Sequence, residues 1–548
     1  MSYSAGTKQT WIQHPAILFR AFLAAALAIC CMLYLVFSRH WPLIGDASMV
    51  HYLVLLMHHG MAPYRDIVDA QMPGTYLLDW VVVHTFGGGA VGLRLFDLTL
   101  VAVAGAAMLW IAWPRDRFAG FCAAALLALL HGRDGIPQTA QRDLIIAALM
   151  LLACASAFHA VRRGHSAWML LFGLCSGLAA TIKPTAAPLV LLLVLVAMVI
   201  KRKGRNCGPA IVWGLVGLAI PLAASAIFLV RERAVPYFLD AIRGMWPYYA
   251  KLANRPLSYL LTHCASPLMP LVLLWLALLV MRKLRPRGTR SAFDWERLAL
   301  WLCLALGLFS YVSQGKGFPY HRYPLLGFLL LLMEMDFSEA LGGSLPPVPE
   351  ERGGSRWTGV LRGCGAVGLA AGALIIAPVS TWKISTYDWR HDEMFSMLHS
   401  DLDAQGGASL SGHVQCLDTF SGCINALYRL HLAESTGFLV DFYFWAPVQT
   451  PVTEEMRQRF WTAIQANPPK VFLVMQQDFP SETGGYAKID RWPLFAAYLR
   501  DHYTLAAERM PQHWVKRESR AYPPTGYRLY VRNAEAPPRP ATGHAGAS

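Results

Sequence analysis

Long apolar runs, broken by Pro, Gly and short charged clusters, dominate the first two-thirds of the chain, beginning with Ala16 to Phe37. A helix needs roughly 18 to 20 apolar residues to cross a bilayer, and the runs are close to or above that length. The pattern predicts about eleven spans, near 16–37, 90–112, 118–132, 143–161, 167–182, 184–200, 209–230, 257–281, 297–313, 321–336 and 359–380. Strand-length alternating segments of an outer-membrane barrel are absent. The first run lacks a small-residue cleavage site, which predicts a retained helix behind a cytoplasmic tail at 1–15. Residues 38–89 are too polar to span and too apolar for a free loop, and their helical runs near 47–59 and 74–86 are expected along the membrane surface. Residues 338–358 read as a cytoplasmic linker. Beyond Trp382 polar residues return, and Val471 to Met475 reads as a buried strand. The predicted fold is mainly α: a polytopic helical membrane domain at 16–337, a last span at 359–380, an extracytoplasmic α/β domain at 381–533 and a disordered tail at 534–548.

Composition agrees with that pattern. Hydrophobic residues make up 55% and charged residues 15%, against about 25% charged in soluble proteins. A soluble enzyme, intrinsic disorder, a collagen-like fibre and a small disulfide scaffold are excluded. The net charge of +14 sits largely in clusters that each follow an apolar run: Arg162 and Arg163; Lys201, Arg202, Lys203 and Arg205; Arg282, Lys283, Arg285, Arg287 and Arg290. Cytoplasmic loops carry such clusters, so they set the orientation rather than a nucleic-acid partner. Counting from inside puts 38–89, 131–142, 231–256 and 314–322 on the outer side. Of the 11 cysteines, Cys416 and Cys423 are the two clear of the apolar runs. An oxidising compartment would pair them; two free or buried thiols is the alternative.

Candidate chemistry concentrates in the outer loops. The first contains Gly45-Asp46, His51-Tyr52, Pro63-Tyr64-Arg65-Asp66, Asp69 and Pro73-Gly74. Asp46 opens a predicted surface helix, where a carboxylate is either an ordinary N-cap or a group held at the water–lipid boundary. Asp66 and Asp69 suit turn formation, or orientation of Arg65. Asp143, beside Arg142 at a helix entrance, is a cap, a weak ion pair or a catalytic partner. The aromatic and basic segment Val235 to Lys251 suits an interfacial helix. In the C-terminal region, the aromatics of Asp441 to Trp445, Trp492 and Tyr522 to Tyr527 are either core or a surface for stacking on sugars.

Taken together, Gly45-Asp46-x5-Tyr52, Gly60-x-x-Pro63-Tyr64-Arg65-Asp66 and Pro73-Gly74 resemble the first loop of the type C glycosyltransferases, the polytopic enzymes that include protein O-mannosyltransferases and aminoarabinose transferases of lipid A. Gln141-Arg142-Asp143, the Gly177 to Lys183-Pro184-Thr185 turn and Gly315 to Pro324 are similar to later motifs of that family, over roughly residues 15 to 335. The resemblance implies transfer of a sugar from a polyprenyl-phosphate donor to a glycan, lipid or protein acceptor, at the outer face of a bacterial inner membrane. Asp46 and Asp143 would then be catalytic, with Asp46 the base on the attacking hydroxyl. Tyr64, Arg65, Asp66, Arg142, Lys183, Lys316, Tyr320, His321 and Arg322 would bind substrate, the cations facing the lipid phosphate. Lone cations at a bilayer edge also serve simply to mark span ends. No redox or nucleotide cofactor is implied. Some family members use a divalent metal, for which Asp46, Asp143 and His51 or His321 are candidate ligands, although their spacing forms no metal motif. A transporter or flippase for a lipid-linked saccharide and a noncatalytic scaffold share the span count; the first should show repeated halves, and none is evident.

Overall fold

The computed structural model describes residues 14–284, 294–342, 354–386, 393–419, 421–445, 450–477, 479, 484–511 and 525–533. Most of the cytoplasmic tail and of the 338–358 linker, Arg285, Arg287 and Arg290 of the third basic cluster, Tyr522 and the 534–548 tail lie outside the described residues. The chain divides into two units: Met1–Val54 with Ala70–Trp389, and Leu55–Asp69 with Arg390–Ser548. The boundary differs from the one drawn on the sequence, because residues 55–69 group with the C-terminal unit rather than with the helices on either side of them.

The first unit is helical. Among the described residues, 7 helices are long and apolar enough to cross a membrane: Pro15–Ser38, Gly89–Ala112, Arg142–Arg163, Pro184–Arg202, Gly208–Arg231, Trp295–Gln314 and Thr358–Thr386. Helices Arg117–Asp134, Trp168–Ile182, Met269–Leu284 and Tyr323–Leu341 occupy the other predicted spans. Proline changes two of the expectations. The run expected as one span over 257–281 is broken into Leu257–His263 and Met269–Leu284, with Pro267 and Pro270 at the break, where the missing N–H and the ring clash oppose a continuous helix. The run over 184–200 starts as 3-10 helix from Pro184 to Leu191, with Pro188 inside, and becomes α-helical only at Leu192.

Helices Arg142–Arg163 and Trp295–Gln314 are antiparallel and matched end to end. At one end Gln314 Nε2 donates to Asp143 Oδ1 at 3.2 Å; at the other, Arg162 Nε donates to Glu296 Oε1 at 2.7 Å. A 22-residue helix spans about 33 Å, so the two polar contacts mark opposite ends of the apolar layer. The basic end is fixed further by Arg115 on Asp294 at 2.6 Å and by Arg282 and Arg297 on the buried Asp336 at 2.8 and 2.7 Å. Between the ends, small residues allow backbones to touch. A Cβ on Gly173 would come within 2.1 Å of Gly214 O, and one on Gly217 within 2.2 Å of Leu170 O. Close contact of this kind drives helix association where lipid removes the hydrophobic contribution.

The C-terminal unit holds a four-stranded sheet in the order β1-β2-β4-β3: Val414–Leu417, Val471–Met475, Tyr527–Arg532 and Tyr503–Arg509. β1 and β2 are parallel, whereas β4 runs antiparallel to both of its neighbours. β2 is buried at every position, as expected from Val-Phe-Leu-Val-Met. Cys416 and Cys423 form a disulfide. Trp445 and Trp492, 1 and 6% exposed, pack with Phe444, Phe460 and Phe495, and Tyr443, 2% exposed, packs on Phe442, so these rings build a core instead of an open stacking face. Residues 55–69 join this unit through a parallel bridge from Val68 to Phe438 and a bond from Val68 N to Gly437 O at 2.8 Å. Only glycine fits at 437, where a Cβ would meet Asp66 O at 1.7 Å.

Breaking the Cys416–Cys423 bridge should destabilise this unit. For a sequence separation of 7, the loop-entropy cost removed from the unfolded state is about 2.5 kcal/mol. The Cys416→Ser/Cys423→Ser double variant of the full-length protein, followed by the fluorescence of Trp445 and Trp492 in denaturant, is expected to unfold earlier by about that amount, and reductant should then have no further effect.

Candidate active site

Three helix ends converge on the site end of the first unit. Asp46 opens the helix Asp46–His58, where a carboxylate is favoured by the positive end of the helix dipole. Gly45, at φ 57°, makes the turn that leads into it. Gln141 precedes the helix Arg142–Arg163 and donates from Nε2 to Asp46 Oδ2 at 3.1 Å and to Pro137 O at 3.0 Å. The neighbouring surface helix Pro73–Phe86 begins at the predicted Pro-Gly step. Gly74 permits a close approach there, since a Cβ would lie 2.2 Å from Thr181 Oγ1. Between these elements opens a small cleft, with Asp46, Asp79, Gln141 and Arg142 among Leu78, Val82 and other apolar side chains.

Behind the cleft, Asp143 is fully buried. Lys183 Nζ donates to its Oδ2 at 2.5 Å and to Gln314 Oε1 at 2.6 Å, while Gln314 Nε2 donates to Asp143 Oδ1. Burial pushes the Lys183 ammonium below its usual pKa, opposed by Asp143 and, more distantly, by Asp46. The pair therefore sits within electrostatic reach of the cleft carboxylate. His321 is 5% exposed, with its ring edge-on to Tyr320 at 4.5 Å, and it feels the charges of Asp143, Lys183 and Lys316.

Asp46, Arg142, Asp143, Lys183 and His321, five of the sequence candidates, thus gather at one end of the bundle. The other late-loop cations are engaged elsewhere. Lys316 Nζ donates to Tyr249 O at 2.6 Å, to Ala250 O at 3.3 Å and to Leu252 O, capping the helix Met245–Lys251. Burial pushes its ammonium down to about 8. Arg322 donates to Pro319 O at 3.0 Å and Ser266 O at 2.5 Å and faces Asp134 at 3.4 Å. Both hold loops in place. Tyr64, Arg65 and Asp66 belong to the C-terminal unit. There Arg65 pairs with Asp66 at 2.7 Å, and Asp66 Oδ2 accepts from Ala62 N at 2.8 Å. Partial burial raises the Asp66 pKa, but the Arg65 and Ala62 donors outweigh that and hold it below the usual range.

Three of the candidate metal ligands are engaged in other contacts. Both oxygens of Asp143 already accept from Lys183 and Gln314, Asp46 accepts from an amide, and His51 Nδ1 faces Ala47 O at 3.2 Å. Among the described residues no group of three or more His, Cys, Asp or Glu is arranged to hold an ion.

No family model and no curated protein matches the chain. Solved structures do. ArnT from Cupriavidus metallidurans, bound to undecaprenyl phosphate, aligns over 95% of this chain and 99% of its own at TM-score 0.52 and 14% identity. The chain shares the fold of this ArnT. An oligosaccharyltransferase from Archaeoglobus fulgidus, tethered to an acceptor peptide, aligns over 82% of this chain and 69% of its own at TM-score 0.47 and 12% identity.

Residues that sequence reasoning missed complete this form of the fold. Gln314 bridges Asp143 and Lys183, and beneath the cleft Arg94, Asp97 and His131 form a buried ionic cluster. Arg94 and Asp97 stood in plain view as charges inside an apolar run, a signal of function or of pairing in any span. Removing one member of the Asp143–Lys183 pair leaves the other charge buried. Lys183→Met is therefore expected to destabilise the protein by roughly 3 kcal/mol, and Asp143→Leu added to it to recover most of that loss. Thermal unfolding of the two variants in detergent measures the difference.

Proposed function

We propose that this chain is a membrane glycosyltransferase that moves a sugar from a polyprenyl-phosphate donor to an acceptor hydroxyl or amine, on the periplasmic face of a bacterial inner membrane. The observation that carries the proposal is the cleft carboxylate Asp46, held by Gln141 beside the Asp143–Lys183 pair at the helix ends opposite the Arg162 and Arg282 clusters. Basic clusters favour the cytoplasm, so the opposite end faces outward. The undecaprenyl phosphate in the similarly folded ArnT supports a lipid-phosphate donor.

In the reaction the acceptor oxygen or nitrogen forms a bond to the anomeric carbon, and the carbon–oxygen bond to phosphate breaks. Asp46 takes the acceptor proton. The departing lipid phosphate is a stable anion and needs positive charge rather than a proton, which Arg142 supplies from the cleft wall and Lys183 from behind it. The apolar lining suits the sugar's carbon face and excludes bulk water, which strengthens these electrostatic contributions. Helix Val235–Arg243, with Tyr237 and Leu239 exposed, suits the interface at which a long lipid would enter.

Purified protein incubated with polyprenyl-phosphate sugars should release free lipid phosphate. Asp46→Asn, which keeps size and removes the base, is expected to lower kcat by about 10² to 10⁴ while the protein still inserts and folds. Transfer at the original rate by that variant would show that Asp46 is not the base. No consumption of any sugar-lipid by the wild type would favour transport or scaffolding.

A further inference from the structure

We propose that Asp97 is a positioning residue for sugar transfer: its carboxylate, buried inside the helix bundle, holds the Ala140 N–H and so sets where Gln141 and Arg142 enter the cleft and where Asp143 sits behind it. The proposal rests on the glycosyltransferase reading above. Asp97 lies in the helix Gly89–Ala112 and is fully buried. Its Oδ1 accepts from Ala140 N at 2.6 Å. His131 Nε2 contacts both of its oxygens at 3.0 and 3.1 Å, and Arg94 pairs with it one helical turn away. His131 is placed in turn by Tyr323, whose hydroxyl lies 2.9 Å from Nδ1.

Ala140 shows what the carboxylate is for. Its φ is 49°, in the left-handed region that a residue with a Cβ avoids. Such a backbone persists only where its surroundings over-determine it, and Asp97 supplies a short charge-assisted bond to the N–H of that very residue. Beyond Ala140 comes Gln141, which holds Asp46, and two residues further comes Asp143, which holds Lys183. Releasing Ala140 lets its φ revert, which swings Gln141 away from Asp46 without removing any group that touches substrate.

The test is a cycle of Asp97→Asn, Ala140→Gly and the double variant in the full-length protein, because glycine adopts φ 49° without penalty and makes the clamp less necessary. Asp97→Asn is expected to lower kcat about tenfold with the donor KM within about twofold. Ala140→Gly alone should stay within about twofold of the wild type, and added to Asp97→Asn it should raise kcat at least about threefold. Thermal midpoints should show the same coupling, with glycine raising the midpoint more when Asp97→Asn is present. An equal effect of glycine with and without Asp97→Asn, or none, would overturn the proposal. Should Asp97→Asn fail to accumulate, Tyr323→Phe loosens the far end of the same chain of contacts, and the cycle is run with it. If the wild type consumes no sugar-lipid, the glycosyltransferase reading fails while the midpoints still report on the clamp.

Discussion

A single buried ion pair, Arg94 with Asp97, holds both strands of chain that carry the cleft residues. Asp97 grips Ala140, directly before Gln141. Arg94 donates to Ser38 Oγ and lies over the rings of Tyr34 at 5.1 Å and Trp41 at 4.4 Å, at the end of the first helix and a few residues before Asp46. The bond from Gln141 to Asp46 then joins the two strands at the surface. A buried pair of charges is weak evidence for stability, because its desolvation cost rivals its attraction. Here its value is geometric. Arg94, His131 and Ala140 donate to the Asp97 carboxylate from three different segments, so it can sit at only one place.

Much of the fold was legible because a bilayer leaves helices few choices. Span positions followed from run length, and basic clusters such as Arg162 and Arg282 meet Glu296 and Asp336 at one end of the bundle. The failures have local causes. Pro267 and Pro270 divide a run that hydropathy alone reads as continuous, since hydropathy is blind to a missing N–H. Residues 55–69 begin in the last turn of the helix Asp46–His58, yet Val68 pairs with Phe438, far along the chain, and no local pattern carries such a contact.

The candidate site was legible as chemistry and less so as geometry. Asp46, Asp143 and Lys183 could be singled out as polar groups at the ends of apolar runs. Which cation joins Asp143 could not, because Lys183, Lys316 and Arg322 look alike in sequence. Their surroundings separate them: Lys316 meets helix-end carbonyls and Arg322 meets Ser266, Pro319 and Asp134, whereas Lys183 meets the side chains of Asp143 and Gln314. Gln314 gave no signal of its own. An amide carries no charge to draw notice, yet it both donates and accepts, which is what lets Gln314 close the triangle with an anion and a cation.

That triangle also bears on how an anion would enter. A carbonyl left without its donor loses a hydrogen bond worth about 1 to 3 kcal/mol when buried, so Lys316 and Arg322 cannot turn toward a ligand without releasing several such groups at once. Lys183 differs. Turning from Asp143 toward an incoming phosphate exchanges one anion for another, and Gln314 can still donate to Asp143 while it does so. Its side chain is 19% exposed, against 0% for Asp143, so the ammonium is the member of the pair that reaches solvent. The anion it leaves behind stays buried, so the exchange requires a ligand that carries negative charge of its own. A phosphate meets that condition; a neutral sugar does not.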